Sequence, residues 1–206
     1  MPTETKRDTR EKRTREILDA AVAVLRERGY GGATMLAIAS RASASKETLY
    51  AWFGNKSGLF EAVIRANASQ VDAALTAALE QSAPPQDALG AFGRELLALL
   101  LSEPALTINR AAISEAASIP AFGKILAAAG RDAVAPKLIL YLDQQKQLGT
   151  LSFTDAEDAA ETLISLLLGD LQVRRLLGVV PKPDRTWIET RATRAVAQFM
   201  RLYGPF

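Results

Sequence analysis

Lys46, Glu47, Tyr50 and Ala51 fall on one side of the stretch KETLYAWF, with Thr48 and Trp52 at its margins. Read as a short helix, this segment turns Leu49 and Phe53, four residues apart, toward a core and leaves the polar side outward. Such a surface is suited to holding a polar partner. Thr48 and Tyr50 offer hydroxyls and Lys46 an ammonium, the groups that bind phosphate and sugar oxygens. Glu47 can accept from cytosine N4, and the Ala51 methyl can touch a thymine methyl. Trp52 either flanks a groove or packs inward. The chain contains no histidine and no cysteine. That excludes imidazole bases, thiolate nucleophiles, disulfides and zinc sites with the usual ligands. No nucleophile–base spacing stands out among the remaining Lys, Tyr, Ser, Thr and carboxylates, so the sequence is not read as an enzyme. It implies no cofactor and no metal.

These side chains need elements to aim them. Thr34 is placed to cap a short helix carrying Ile38, Ala39 and Ala42 inward, Ser43-Ala44 forms a turn, and Ser45 caps the next helix. Lys56 opens a third helix, capped by Asn55 after a break at Gly54. Thr34 and Lys56 therefore stand at helix starts on either side of the polar surface, placed to grip a nucleic-acid backbone. Upstream, a stripe of Ile17, Leu18, Ala21, Val24 and Leu25 predicts a helix over 11–28, ended by Gly29. Residues 1–10 have no apolar periodicity and are predicted to be a mobile arm. Its Lys6, Arg7 and Arg10 either approach DNA or remain solvated.

The motifs Ile17-Leu18-Asp19-Ala20-Ala21, Glu27-Arg28-Gly29-Tyr30, Thr34-Met35, Ile38-Ala39, Ser45-Lys46, Thr48-Leu49-Tyr50, Phe53, Lys56 and Leu59-Phe60 resemble the amino-terminal signature of TetR-family transcriptional regulators. The resemblance implies a three-helix helix-turn-helix head in which Thr34, Lys46, Tyr50 and Lys56 contact phosphate. Ser43-Ala44 departs from the family's usual Gly-Val turn. That glycine takes a positive φ, which serine adopts at a penalty of about 1 kcal/mol. Farther on, Asn109-Arg110, Ser114-Glu115-Ala116, Pro120-Ala121-Phe122, Leu168-Gly169-Asp170-Leu171 and Arg175-Leu176-Leu177-Gly178 are similar to the ligand-binding domain of the AefR-like subgroup. This implies an all-helical domain that dimerises through its last two long helices.

Composition and periodicity agree with an all-α chain, and the resemblance implies two domains, a head over 1–55 and a larger ligand-binding and dimerisation domain over 56–206. Residues 1–56 carry 11 Lys and Arg against 7 Asp and Glu; the rest carry 14 against 16. A basic front and a mildly acidic back suit a module that meets phosphate with one end. No apolar run approaches twenty residues and the amino terminus is polar, so the expectation is a soluble, cytoplasmic protein without a membrane partner. Apolar spacing predicts helices over 56–81, 86–101, 104–117, 120–130, 131–147, 155–177 and 184–202. Pro136 either kinks its helix or marks its start. Thr154-Asp155-Ala156-Glu157 reads as a capping box. The cluster Asp155, Glu157 and Asp158 is better explained by a positive helix end than by catalysis or metal binding. Residues 155–177 are apolar on more than one face and must be buried against more than their own domain. With 184–202 they are the expected homodimer contact.

The resemblance implies a small apolar or amphipathic effector among the middle helices, where Phe60, Phe92, Leu96, Ile108, Ile113, Phe122 and Ile125 could line an apolar cavity, with Asn109, Arg110 and Glu115 as polar anchors. Each of these apolar residues also has a plain reading as core. The function expected is a ligand-responsive repressor that binds a palindromic DNA operator as a homodimer. The alternative is a helical small-molecule-binding protein or corepressor whose head no longer binds DNA.

Overall fold

A computed structural model describes residues 6–205 except Ser82, with side chains from Thr9 onward. Eleven helices follow one another among the described residues: α1 Lys6–Gly32, α2 Met35–Arg41, α3 Lys46–Phe53, α4 Lys56–Gln81, α5 Pro85–Leu100, α6 Glu103–Ser114, α7 Pro120–Ala129, α8 Arg131–Gln147, α9 Ala156–Leu168, α10 Leu171–Leu176 and α11 Arg185–Tyr203. No strand occurs among them, as the apolar spacing predicts.

Packing divides the chain into two units. The first takes residues 1–66 together with 107–130; the second takes 67–106 and 131–206. The first core joins Ile17, Ala21, Val24 and Leu25 of α1 to Ile38 of α2, Leu49 of α3 and Phe60 of α4, with Ile108 and Phe122 of α6 and α7 completing it. Tyr30 stacks on Phe122, ring centroids 4.0 Å apart, and tilts against Phe60 at 5.3 Å.

In the second unit α11 packs on α5 and α9, and α8 on α9. A Cβ at Gly93 of α5 would lie 2.8 Å from a terminal methyl of Leu167 and 3.5 Å from Ala192, so a larger residue there requires the Leu167 side chain to shift. Arg175 is nearly buried at 6 % exposure, reaching Glu103, Val180 and Leu101. Tyr141, fully buried, donates its hydroxyl to Ala83 O at 2.7 Å, and burial pushes its pKa up to about 12. Because the unfolded chain releases this proton near pH 10, the native state binds more protons above that value. Stability is therefore expected to fall by about 2–3 kcal/mol between pH 10 and pH 12. In a Tyr141→Phe variant that part of the alkaline loss should vanish, as urea titrations at pH 9, 10 and 11 would show.

Several boundaries depart from the sequence expectation. Helix α1 starts at Lys6, so the described part of the supposed arm is helical. The side chains of Lys6 and Arg7, and residues 1–5, lie outside the described residues. The Arg10 guanidinium stands 5.3 Å from the centre of the Trp52 ring, an anchor that a solvated arm would lack. At its other end α1 bends at Gly29 (φ 66°) and adds one more turn to Gly32. Pro136 lies inside α8, which starts five residues earlier at Arg131. The stretch 155–177 is not one helix. Gly169, with φ 50° and ψ −129°, separates α9 from α10, and Arg191 of α11 donates Nε to Leu167 O at the broken end. The cap of α9 is Asp155, not Thr154, its carboxylate accepting from Glu157 N at 2.7 Å and Asp158 N at 3.0 Å. Glu157 and Asp158 then stand in the first turn, at the positive helix end. No single described helix is long and apolar enough to cross a membrane; α5 and α6 pass such a test only as a pair bent by 61°.

Candidate nucleic-acid interface

The Thr34 side chain accepts from Ala37 N at 3.1 Å, an N-cap that starts α2 in an extended backbone conformation (φ −83°, ψ 153°). Met35, Ile38 and Ala39 of that helix are buried. Its end is a Schellman motif. Ala44 N donates to Ala39 O at 2.9 Å and Ser43 N to Ser40 O at 3.2 Å. That closure requires a left-handed residue at its hinge, and Ser43 supplies it with φ 50°. Serine accepts this backbone at about 1–2 kcal/mol, so the turn keeps the geometry a glycine would give despite the departure from Gly-Val. Arg13 of α1 lies across the same turn, its Nη2 donating to Ala42 O at 2.8 Å and to Ser43 O at 2.7 Å.

Ser45 then caps α3, accepting from Thr48 N at 3.0 Å while its hydroxyl meets that of Thr48 at 3.0 Å. Leu49 is fully buried, and Phe53 is half-buried against the first core. Lys46, Glu47, Tyr50 and Ala51 are exposed on the outer side. The Lys46 ammonium stands 5.6 Å from the Tyr50 ring centre, so cation and phenol act from one patch. The Glu47 carboxyl is held below its usual pKa by its backbone hydrogen bond and by the Ser45 hydroxyl. It stays an ionised acceptor, the state a cytosine amino group requires.

Two expected contact residues are engaged elsewhere. Trp52 is half-buried, packed on the first core with one face against Arg10. Lys56 is half-buried, donates Nζ to Tyr30 O at 2.8 Å and lies 4.1 Å from the Tyr30 ring centre. Desolvation lowers its pKa, opposed by the charge of Glu115. One of its three N–H donors is thereby occupied.

The residues expected to line an effector cavity are not brought together within either unit. Phe60, Phe122 and Ile108 are buried in the first core, and Ile125 packs against it; Phe92 and Leu96 belong to the second. Ile113 is 65 % exposed, a correction to its assignment as lining. It falls just past the inward pair Ala111 and Ala112 on α6. Asn109 is half-buried and Arg110 exposed. Glu115 accepts from Gly31 N at 3.2 Å and so belongs to the head. An open cleft of about 650 Å³ does occur in the second unit, lined by Asp158, Glu161, Thr162, Ser165, Leu166 and Tyr203. Its acids and hydroxyls are not the apolar lining foreseen. Sequence reasoning missed Arg13 altogether. The available signal was its spacing, one helical turn before the fully buried Ile17.

Comparison with known proteins places this geometry among relatives. Residues 17–63 match the profile of bacterial regulatory proteins of the tetR family, and residues 87–205 match that of the AefR-like transcriptional repressor C-terminal domain. A TetR transcriptional regulator from Agrobacterium tumefaciens is 35% identical, over 93% of this chain and 94% of its own, with a TM-score of 0.73. A protein described as a TetR-family transcriptional regulator from Mesorhizobium loti is 28% identical over 95% and 98%, with a TM-score of 0.76. The flavonoid-responsive regulator FrrA is 26% identical over 95% and 98%, with a TM-score of 0.67. Comparison with curated proteins finds no match.

Proposed function

The chain belongs to the TetR family of transcriptional regulators, with a C-terminal domain of the AefR-like type, and from that premise we propose that it is a cytoplasmic repressor. It binds a palindromic operator as a homodimer and leaves it when a small apolar or amphipathic molecule binds. The observation that carries this reading is the outward side of α3, where Lys46, Glu47, Tyr50 and Ala51 stand free of the core on a helix capped and aimed by the Ser43 turn. Thr34, Lys46, Thr48 and Tyr50 hold phosphate and sugar, helped by the remaining donors of Lys56. Glu47 and Ala51 read bases, and Ser45 fixes the helix start that presents them. Residues 1–55, together with Lys56 at the start of α4, do this work, and the rest of 56–206 dimerises and receives the effector.

Dimerisation through α9 and α11 is supported by half-buried Ile164, Leu166 and Ile188, which pack only partly within the second unit. A flavonoid-responsive relative supports a small-molecule effector of this chain. Effector binding acts by favouring a spacing of the two heads that no longer fits successive major grooves. The test is selection of duplexes from fragments of the source genome by the purified protein. The expected product is an inverted repeat with half-site centres about 34–36 Å apart. Recovery of unpaired half-sites would remove the dimer, and recovery of no preferred sequence would remove the operator.

A further inference from the structure

We propose that Arg13 is a positioning residue for DNA recognition, doing from outside the turn what a glycine at Ser43 would do from within. The inference rests on the reading that α3 contacts DNA. Two peptide planes flank Ser43. One carries Ala42 O and the other Ser43 O, and a single Arg13 Nη2 holds both, at 2.8 and 2.7 Å. Fixing both planes fixes the φ and ψ between them, at the one described non-glycine residue with positive φ. The two carbonyls lie beyond the pair already satisfied by the Schellman closure, Ala39 O and Ser40 O. Arg13 therefore adds restraint where the helix-end hydrogen bonds stop.

The guanidinium is itself held in place. Its Nη1 donates to Glu16 Oε2 at 2.6 Å, and Ile17, one turn along α1, is fully buried. The angle between α2 and α3 depends on the turn dihedrals, so a relaxed Ser43 would swing Glu47 and Ala51 away from base edges. A loss of aim of this kind weakens sequence discrimination without removing any phosphate contact.

The experiment uses the full-length protein and a duplex selected from a random-sequence pool by the unmodified chain, with mixed-sequence duplex as reference. Arg13→Ala is expected to lower affinity for the selected duplex by about tenfold or more, with binding to mixed sequence little changed. The slope of log affinity against log salt should stay the same. Ser43→Gly added to Arg13→Ala should recover most of the loss, and Arg13→Lys, able to reach one carbonyl at a time, should lose less than Arg13→Ala. Should Arg13→Ala fail to fold, Arg13→Lys with and without Ser43→Gly makes the same comparison. Unchanged affinity in the Arg13 variants overturns the proposal. So does a slope reduced by about two for the dimer, which makes Arg13 a phosphate ligand, and so does a loss that Ser43→Gly leaves in place. If the unmodified chain selects no duplex, the DNA-binding reading fails and takes this role with it.

Discussion

Raising salt from 50 to 200 mM is expected to weaken operator binding about a hundredfold. The estimate follows from the cations of the head. Lys46 is exposed in the first turn of α3, and Lys56 retains donors after its bond to Tyr30 O. About two such contacts in each head, or about four in the proposed dimer, give a logarithmic slope of about −3.5. Thr34, Tyr50 and the amides at the start of α3 are neutral, so in the proposed complex they would meet phosphate without displacing counterions. Lys46→Ala should therefore flatten the slope by about two for the dimer, whereas Tyr50→Phe should lower affinity at every salt concentration and leave the slope alone. Fluorescence anisotropy titrations at four salt concentrations would separate these cases. An affinity varying less than tenfold over that range would contradict phosphate-dominated binding.

Replacing Arg175 by alanine is expected to destabilise the protein by about 3–5 kcal/mol, the largest loss foreseen for a residue far from the reading surface. The guanidinium is nearly buried, bridging α10 to Glu103 Oε1 at 2.6 Å, Val180 O at 3.0 Å and Leu101 O at 3.5 Å. Its partner Glu103 has a side chain 57 % exposed, so that carboxylate can return to water when the arginine is removed. The ion pair thus accounts for the smaller part. The larger part comes from the buried Leu101 O and the part-buried Val180 O losing a donor, together with the space the side chain leaves. Glu103→Gln should consequently be milder than Arg175→Ala, at about 1–2 kcal/mol. Urea denaturation of both variants tests the ranking, and equal losses would return the weight to the charge pair.

Local chemistry made the outward side of α3 legible. Thr34, Ser45 and Asn55 cap the helices that follow them because each needs only a side-chain oxygen and an amide two or three residues on. Leu49 faces inward by simple periodicity, and the strained turn at Ser43 was legible only as a departure from the Gly-Val turn of the family the motifs resemble. What escaped depends on distance along the chain or on competition between neighbours. Arg13 reaches a turn about thirty residues away, and in sequence it is one charge among many near the amino terminus. Thr154 and Asp155 are both good caps, and the Asp155 carboxylate, charged and one residue nearer the first turn, took the amides. Apolar residues continue across Gly169 on both sides, so periodicity alone conceals the break between α9 and α10. Ile113 was misassigned because α6 is rich in apolar residues beyond those its packed side can take. Phe60 and Phe92 look alike in the sequence, yet they belong to different cores.

The head closes on itself only with help from residues 107–130, whose Phe122 covers the Tyr30 ring that α1 presents. Recombination between relatives is constrained by that arrangement. A single crossover at the start of α4 would leave Tyr30 facing a foreign ring and Gly31 a foreign acid. A transplanted specificity module therefore has to travel as two pieces, one from the amino terminus and one from the middle of the chain, and lineages that swapped operators should carry both.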